Sequence, residues 1–163
     1  WAYNIGDTVQ FTSTSPYRVI VSGRIKHFIS AFGEHVIGKE VEEALNVAIA
    51  SSNASINEFT VAPEINPKSG LPFHEWFIEF ENEPEDFNTF SDLIDQSLQE
   101  QNSYYKDLIV GNVLQPLKVT RIKTEGFKNY MKSIGKLGGQ NKIPRLANDR
   151  KIADALYETK MVK

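Results

Sequence analysis

The segment Phe73-His74-Glu75-Trp76-Phe77-Ile78-Glu79-Phe80 constrains the fold more than any other. Side chains alternate across a strand, so Phe73, Glu75, Phe77 and Glu79 fall on one face and His74, Trp76, Ile78 and Phe80 on the other. A second strand-like run, Asn57 to Ile65, precedes it. Between them Asn66-Pro67-Lys68-Ser69-Gly70 carries the turn signals of a loop joining antiparallel strands. Two helical patterns flank the pair. From Gly38 to about Ala50 the apolar residues Val41, Ala44, Leu45, Ala48 and Ile49 keep helical spacing, and Glu40, Glu42 and Glu43 complement the helix dipole. From Asp86 to Glu100, Phe87, Phe90, Ile94 and Leu98 make a second stripe.

Around this centre the chain shows further elements. Val9 to Thr12 and Tyr17 to Val21 read as a hairpin about Ser13-Thr14-Ser15-Pro16, with a third short strand from His27 to Phe32. Leu117 to Ile122 reads as a strand and Gly126 to Ile134 as a short helix. A Gly-rich loop from Gly135 to Pro144 leads into a last helix from about Asn148 to Glu158. The order predicts an α+β fold, a mixed and mostly antiparallel sheet with helices packed on it. The aromatic strand from Phe73 to Phe80 also allows a different reading, a docking surface on a non-catalytic binding domain.

Composition narrows the function classes. With 163 residues, 40% apolar and 24% charged, the chain suits one globular domain with a real core. A formal charge of −3 offers no broad field for nucleic acid or anionic lipid, so neither nucleic acid nor membrane is an expected partner. The absence of cysteine rules out disulfides and thiolate metal sites. No signal peptide or membrane-length apolar run is visible, and the expected location is cytoplasmic. The chain opens on Trp1 directly before a motif, which reads as a fragment of a longer protein.

Several residues have the chemistry of a nucleotide site. Asp7 follows Gly6 before a strand, where a carboxylate can accept both hydroxyls of a ribose; taken alone, an ordinary turn aspartate explains it better. Tyr3 can lie against a base or anchor the hairpin. Arg24 follows Gly23, and its planar fork suits phosphate or ribose contacts, although a solvated turn arginine reads the same way. Lys26 stands beside it as a candidate pivot. Glu34 and His35 invite metal or acid–base chemistry, but three histidines without a ligand-spaced pair argue against a metal site. His74, beside Trp76, reads as a packed strand histidine. The loop Gly135-Lys136-Leu137-Gly138-Gly139-Gln140-Asn141-Lys142-Ile143-Pro144 is flexible and cationic, able to wrap an anion, yet it lacks the Gly-Lys-Ser/Thr ending of a phosphate loop. A lysine held at such a tip stabilises charge on a phosphoryl group being displaced. No Gly-x-Ser-x-Gly elbow, His-Glu-x-x-His pair or cysteine nucleophile is present, so no complete hydrolytic site is visible.

Together these segments resemble the C-terminal portion of the auxin-responsive, Gretchen Hagen-type acyl-acid amido synthetases, a branch of the firefly-luciferase-like adenylate-forming enzymes. Tyr3-Asn4-Ile5-Gly6-Asp7 resembles the family's Tyr-x-x-Gly-Asp ribose motif, and Tyr17-Arg18-Val19 with Ser22-Gly23-Arg24 resembles the strand and Gly-Arg element of its pivot. Gln140-Asn141-Lys142-Ile143-Pro144-Arg145 resembles its Gln-x-Lys-x-Pro-Arg signature. Glu75-Trp76 and Asn102-Ser103-Tyr104-Tyr105 resemble the bacterial members. The resemblance implies two steps: a carboxylic acid attacks ATP to give an acyl-adenylate and pyrophosphate, then an amine, typically an amino acid, displaces AMP. It implies that Asp7 holds the ribose, Tyr3 lines the adenine side, Arg24 orients the nucleotide and Lys26 sits at the hinge. Lys142 becomes the mobile catalytic lysine. ATP is the implied cofactor, with Mg2+ expected but not bound by this domain. The implied partners are the chain's own N-terminal domain, a small carboxylic acid and an amine. Residues 1–26 become the ribose motif and hinge segment, and residues 27–163 the C-terminal lid, inactive alone. Lys151, in the later Asp149-Arg150-Lys151, competes with Lys142 for the role. Coenzyme A remains an alternative acyl acceptor.

Overall fold

The structure, a computed structural model, describes residues 6–24, 28–138 and 141–163, with residues 22–24 described by their backbone. Strands β1 (Asp7–Thr14) and β2 (Tyr17–Arg24) form the expected hairpin, longer than its β-rich centre, with Asp7 opposite Arg24 and Thr14 opposite Tyr17. A two-residue ladder follows, β3 (Phe28–Ile29) against β4 (Val36–Ile37). The predicted third strand is cut short because the chain turns back through Gly33 at φ 90° and His35 at φ 47°. Helix α1 (Gly38–Ala50) then starts where its apolar spacing predicts, and Glu40 accepts a hydrogen bond from the Ile37 N–H at 2.9 Å.

The main sheet comprises β5 (Ser55–Glu64), β6 (Phe73–Asn82) and, beyond helices α2 (Phe87–Gln101) and α3 (Ser103–Val110), strand β7 (Lys118–Ile122). Its order is β5-β6-β7, with β6 antiparallel to β5 and parallel to β7. The fold is α+β, as predicted. Strand β6 obeys the expected alternation, but both of its faces are covered. Trp76, Ile78 and Phe80 pack with α1, α2 and Tyr105 of α3, while Phe77 packs on the other face with helices α4 (Gly126–Ser133) and α5 (Lys151–Glu158). Each large side chain buried in this way contributes about 2–3 kcal/mol. The docking-surface reading of this strand is therefore corrected: every residue from Phe73 to Phe80 is buried, because helices cover the sheet on both sides.

The chain's tail finishes the sheet. Leu146 bridges Val61 on the β5 edge and Val162 bridges Ile122 on the β7 edge, so residues from both ends of the tail close opposite edges. The last helix begins at Lys151 rather than near Asn148, since the Asn148 side chain bonds to backbone elsewhere and Asp149 accepts from the Lys151 N–H. Helix α3 was not predicted. Asn102 ends α2 through its backbone N–H to Leu98 O, and its side chain caps α3 at the Tyr105 N–H, so a polar pair that reads as a loop is a hinge between helices. No helix among the described residues is long and apolar enough to cross a membrane.

The second hairpin strand approaches α1, but no described hairpin side chain belongs to either core. Among the hairpin side chains Phe11 is 60% exposed and Tyr17 78% exposed, with Val9, Val19, Ile20 and Val21 exposed as well. A two-stranded ribbon with both faces apolar and open is marginal by itself.

Candidate functional site

Lys142 sits where a loose loop meets a pinned tail. Upstream, Gly135 and Gly138 take φ of 69° and 90°, which suits a loop with few fixed contacts. Downstream, Ile143 is buried against α4 and α5. Pro144 O accepts from Thr60 Oγ1 at 2.6 Å, Arg145 O from the Val61 N–H at 2.9 Å, and the Ala147 N–H donates to Val61 O at 2.9 Å. Lys142 itself is exposed, and among the described residues it makes no hydrogen bond or ion pair. Its ammonium group is thus carried on a fixed base with no competing partner, the state in which a cation can meet an incoming anion.

The lysine lines an open groove of about 960 Å³ between the start of α1, the β5 edge, α4 and the Gly-rich loop. Its walls mix charges: Glu42, Glu58 and Glu79 face Lys128, Lys136, Lys142 and Arg145. Some are already committed. Arg145 bonds Glu42 at 2.7 Å and its guanidinium lies 4.9 Å from the Phe59 ring centroid. Buried Glu79 accepts from the Glu125 and Phe127 N–H groups at 2.9 and 3.2 Å, anchoring the start of α4. Lys128 is taken up by Glu125 at 2.6 Å, which leaves Lys136, Lys142 and Glu58 outside the ion pairs of the described residues.

Asp7 and Arg24 come together as cross-strand partners at the open end of the hairpin, with Asp7 half-buried. None of the described hairpin side chains, that of Asp7 included, lines the Lys142 groove. Tyr3 and Lys26 lie outside the described residues. Lys151, the competing lysine, is 86% exposed and pairs with Asp149 at 3.0 Å, outside the groove. Its neighbour Arg150 turns inward, bonding Glu75 at 2.8 Å and Glu64 at 3.2 Å. Glu75 also accepts from Thr120 at 2.6 Å and Tyr157 at 2.5 Å; burial and this carboxylate push the Tyr157 hydroxyl up to about 12.

His74 is the packed strand histidine expected of it, buried on β6, and its partner is Glu34. Oε1 of Glu34 meets Nε2 of His74 at 2.9 Å with both side chains shut off from solvent. Oε2 accepts from the Phe32 N–H at 2.8 Å. Burial alone would raise the Glu34 carboxyl, but the His74 and backbone hydrogen bonds outweigh it and hold the group below its usual range. The His74 ring stacks on Tyr105, whose hydroxyl donates to Asp95 at 2.6 Å and is pushed well above its normal value by burial beside that carboxylate. Glu34 belongs to a structural pair, and the Asp95–Tyr105 bond was missed because α3 was missed. Among the described residues no three histidine, aspartate or glutamate side chains gather as a metal set.

Comparison with known proteins adds the family. No curated protein matches the chain. Among the solved structures that share its fold are two amido synthetases. The GH3.15 acyl acid amido synthetase aligns with a TM-score of 0.75 at 17% identity, over 98% of this chain and 30% of that one. AtGH3.15 acyl acid amido synthetase in complex with 2,4-DB aligns with a TM-score of 0.73 at 16% identity, over the same shares, 98% and 30%. This chain therefore spans less than a third of the length of those proteins. The model of the GH3 family C-terminal domain matches residues 39–151, a stretch that contains the groove-lining lysines and most of the sheet. On that match the chain belongs to the GH3 family, through its C-terminal domain.

Proposed function

We propose that this chain is the C-terminal part of an ATP-dependent acyl-acid amido synthetase and supplies that enzyme's closing lid. The observation that carries the reading is Lys142: an ammonium group without a partner among the described residues, on a pinned tail, inside the family-matched residues, at the edge of an open groove. In the first reaction a carboxylate oxygen of the acid attacks the α-phosphorus of ATP. The bond to the bridging oxygen breaks and pyrophosphate leaves. In the second, an amine nitrogen attacks the acyl carbon, AMP departs with the former carboxylate oxygen, and the nitrogen loses a proton. Lys142 stabilises the charge that develops in the first step. Asp7 would hold the ribose and Arg24 the nucleotide beside it, with Tyr3 against the adenine and Lys26 at the pivot. Mg2+ would accompany ATP, bound outside this domain.

The exposed hairpin supports a part rather than a whole enzyme. Its open apolar faces suit burial against the body that makes up the rest of proteins like GH3.15. A groove open to solvent on one domain becomes a water-excluding site when a second wall closes on it. A chain with no cysteine suits a reducing cytoplasm.

The test is ATP–pyrophosphate exchange in the full-length enzyme against a panel of carboxylic acids. Acid-dependent exchange that falls by about a hundredfold or more in Lys142→Ala supports the reading. Absence of exchange with every acid, or exchange that needs Lys151 instead, overturns the reading or the residue. Product analysis with amino acids and coenzyme A then identifies the acceptor.

A further inference from the structure

Asn148 ties together two parts of the chain that nothing in the proposed chemistry requires to touch. The Ser30 N–H donates to its Oδ1 at 2.8 Å and its Nδ2 donates to Phe28 O at 2.7 Å. In extended chain the carbonyl of one residue and the N–H two positions on face the same side, so a single side-chain amide can bridge them as a peptide group would. Phe28 begins β3, the first described element after the hairpin. Asn148 closes the stretch whose other backbone groups, from Pro144 to Ala147, bond to Thr60 and Val61 of β5. The base on which Lys142 stands is therefore held from one side by the sheet and from the other by the strand leaving the hairpin.

We infer that Asn148 is a positioning residue: by tying the 144–148 stretch to β3 it fixes the place of Lys142. The inference rests on the ligase reading above. β3 is itself fixed, with Ile29 buried in the main core, so the Asn148 amide gives the residues after Lys142 a second rigid support besides β5. The side chain is exposed and its bonds are to backbone, so replacement removes the tie without opening the core.

The test uses the full-length enzyme with Asn148→Ala, Asn148→Asp, Lys142→Ala and the Asn148→Ala/Lys142→Ala double variant. Asn148→Ala should lower kcat for ATP–pyrophosphate exchange by about tenfold or more, with the KM for ATP changed by less than about twofold. Asn148→Asp, which keeps the acceptor for the Ser30 N–H, should lose less. The two losses should not multiply in the double variant, because a displaced lysine and an absent one amount to the same defect. Hydrogen exchange should quicken at Ser30 and at residues 141–142 in Asn148→Ala. An unchanged kcat, or losses that multiply, overturns the inference. If the wild type shows no acid-dependent exchange, the ligase reading fails. The coupling is then judged by hydrogen exchange alone, and protection unchanged at residues 141–142 overturns it.

Discussion

Nε2 of His74 lies 2.9 Å from Oε1 of Glu34, a contact between the loop after β3 and the middle of the sheet that joins residues 40 positions apart. Oε1 and Oε2 of the carboxylate are each engaged, one by the ring and one by the Phe32 N–H. An ionised Glu34 places the ring proton on Nε2. Gly33 and His35, both at positive φ, bring the carboxylate to its partner, so the shape of the loop and the pair specify each other.

Removing one member leaves the other buried without its partner. Glu34→Ala should cost about 3–5 kcal/mol of unfolding free energy at neutral pH, measured by urea denaturation. Because the Glu34 carboxyl is held below its ordinary value of 4.5 in the folded state, the unfolded chain binds that proton more readily. Its contribution is present in full above about pH 4.5 and is lost as pH falls through the lower folded value. The stability gap between wild type and Glu34→Gln should therefore narrow on acidification below that point. A gap that widened there would contradict the assignment.

Tyr105→Phe removes the donor to Asp95 while the Leu117 N–H still bonds the same oxygen at 3.1 Å. A loss of about 1–3 kcal/mol is expected, with near-ultraviolet circular dichroism of the folded form otherwise retained. Asp95→Ala should cost more, since it leaves both donors buried.

At Gly126, a Cβ would stand 2.4 Å from Cγ2 of Ile122, closer than any real contact. Gly126→Ala should destabilise by about 1–3 kcal/mol through overpacking. In combination with Ile122→Ala the penalty of the added methyl should shrink by more than about 0.5 kcal/mol, the mark of two residues competing for one space. Additive losses would refute the clash.

Arg150 and Lys151 are neighbours with opposite fates. Arg150→Ala strips the ion pair from buried Glu75 and should cost about 3 kcal/mol, whereas Lys151→Ala should stay within about 0.5 kcal/mol. Thermal melts of the two variants decide this directly.

The elements legible from sequence are those with a strong period. Helix α1 and the alternation of β6 follow from apolar spacing, because packing a helix stripe or a strand face leaves a repeat in the chain. What the alternation of β6 could not convey is that Glu75 and Glu79 are buried too, since a carboxylate is admitted to the interior only by partners far away in sequence: Arg150, Tyr157 and the start of α4. Helix α3 escaped for a related reason, its first turn being capped by a side chain that reads as loop. In the candidate site, the cationic, Gly-rich character of the loop around Lys142 is legible from its own residues. The fixing of the lysine's base is not, because Thr60, Val61 and Phe28 are distant in sequence from the segment they hold.

The tail has a consequence for how the protein is made. Residues from Arg145 onwards supply the outermost backbone pairing on both sides of the sheet, to Val61 on one edge and to Ile122 on the other. Until these residues have left the ribosome, the nascent chain carries two open strand edges beside a largely apolar interior. The sheet cannot be completed from its N-terminal side alone. A stalled or truncated product ending before Arg145 would be sticky and a natural client for chaperones and proteases, even with every earlier element intact.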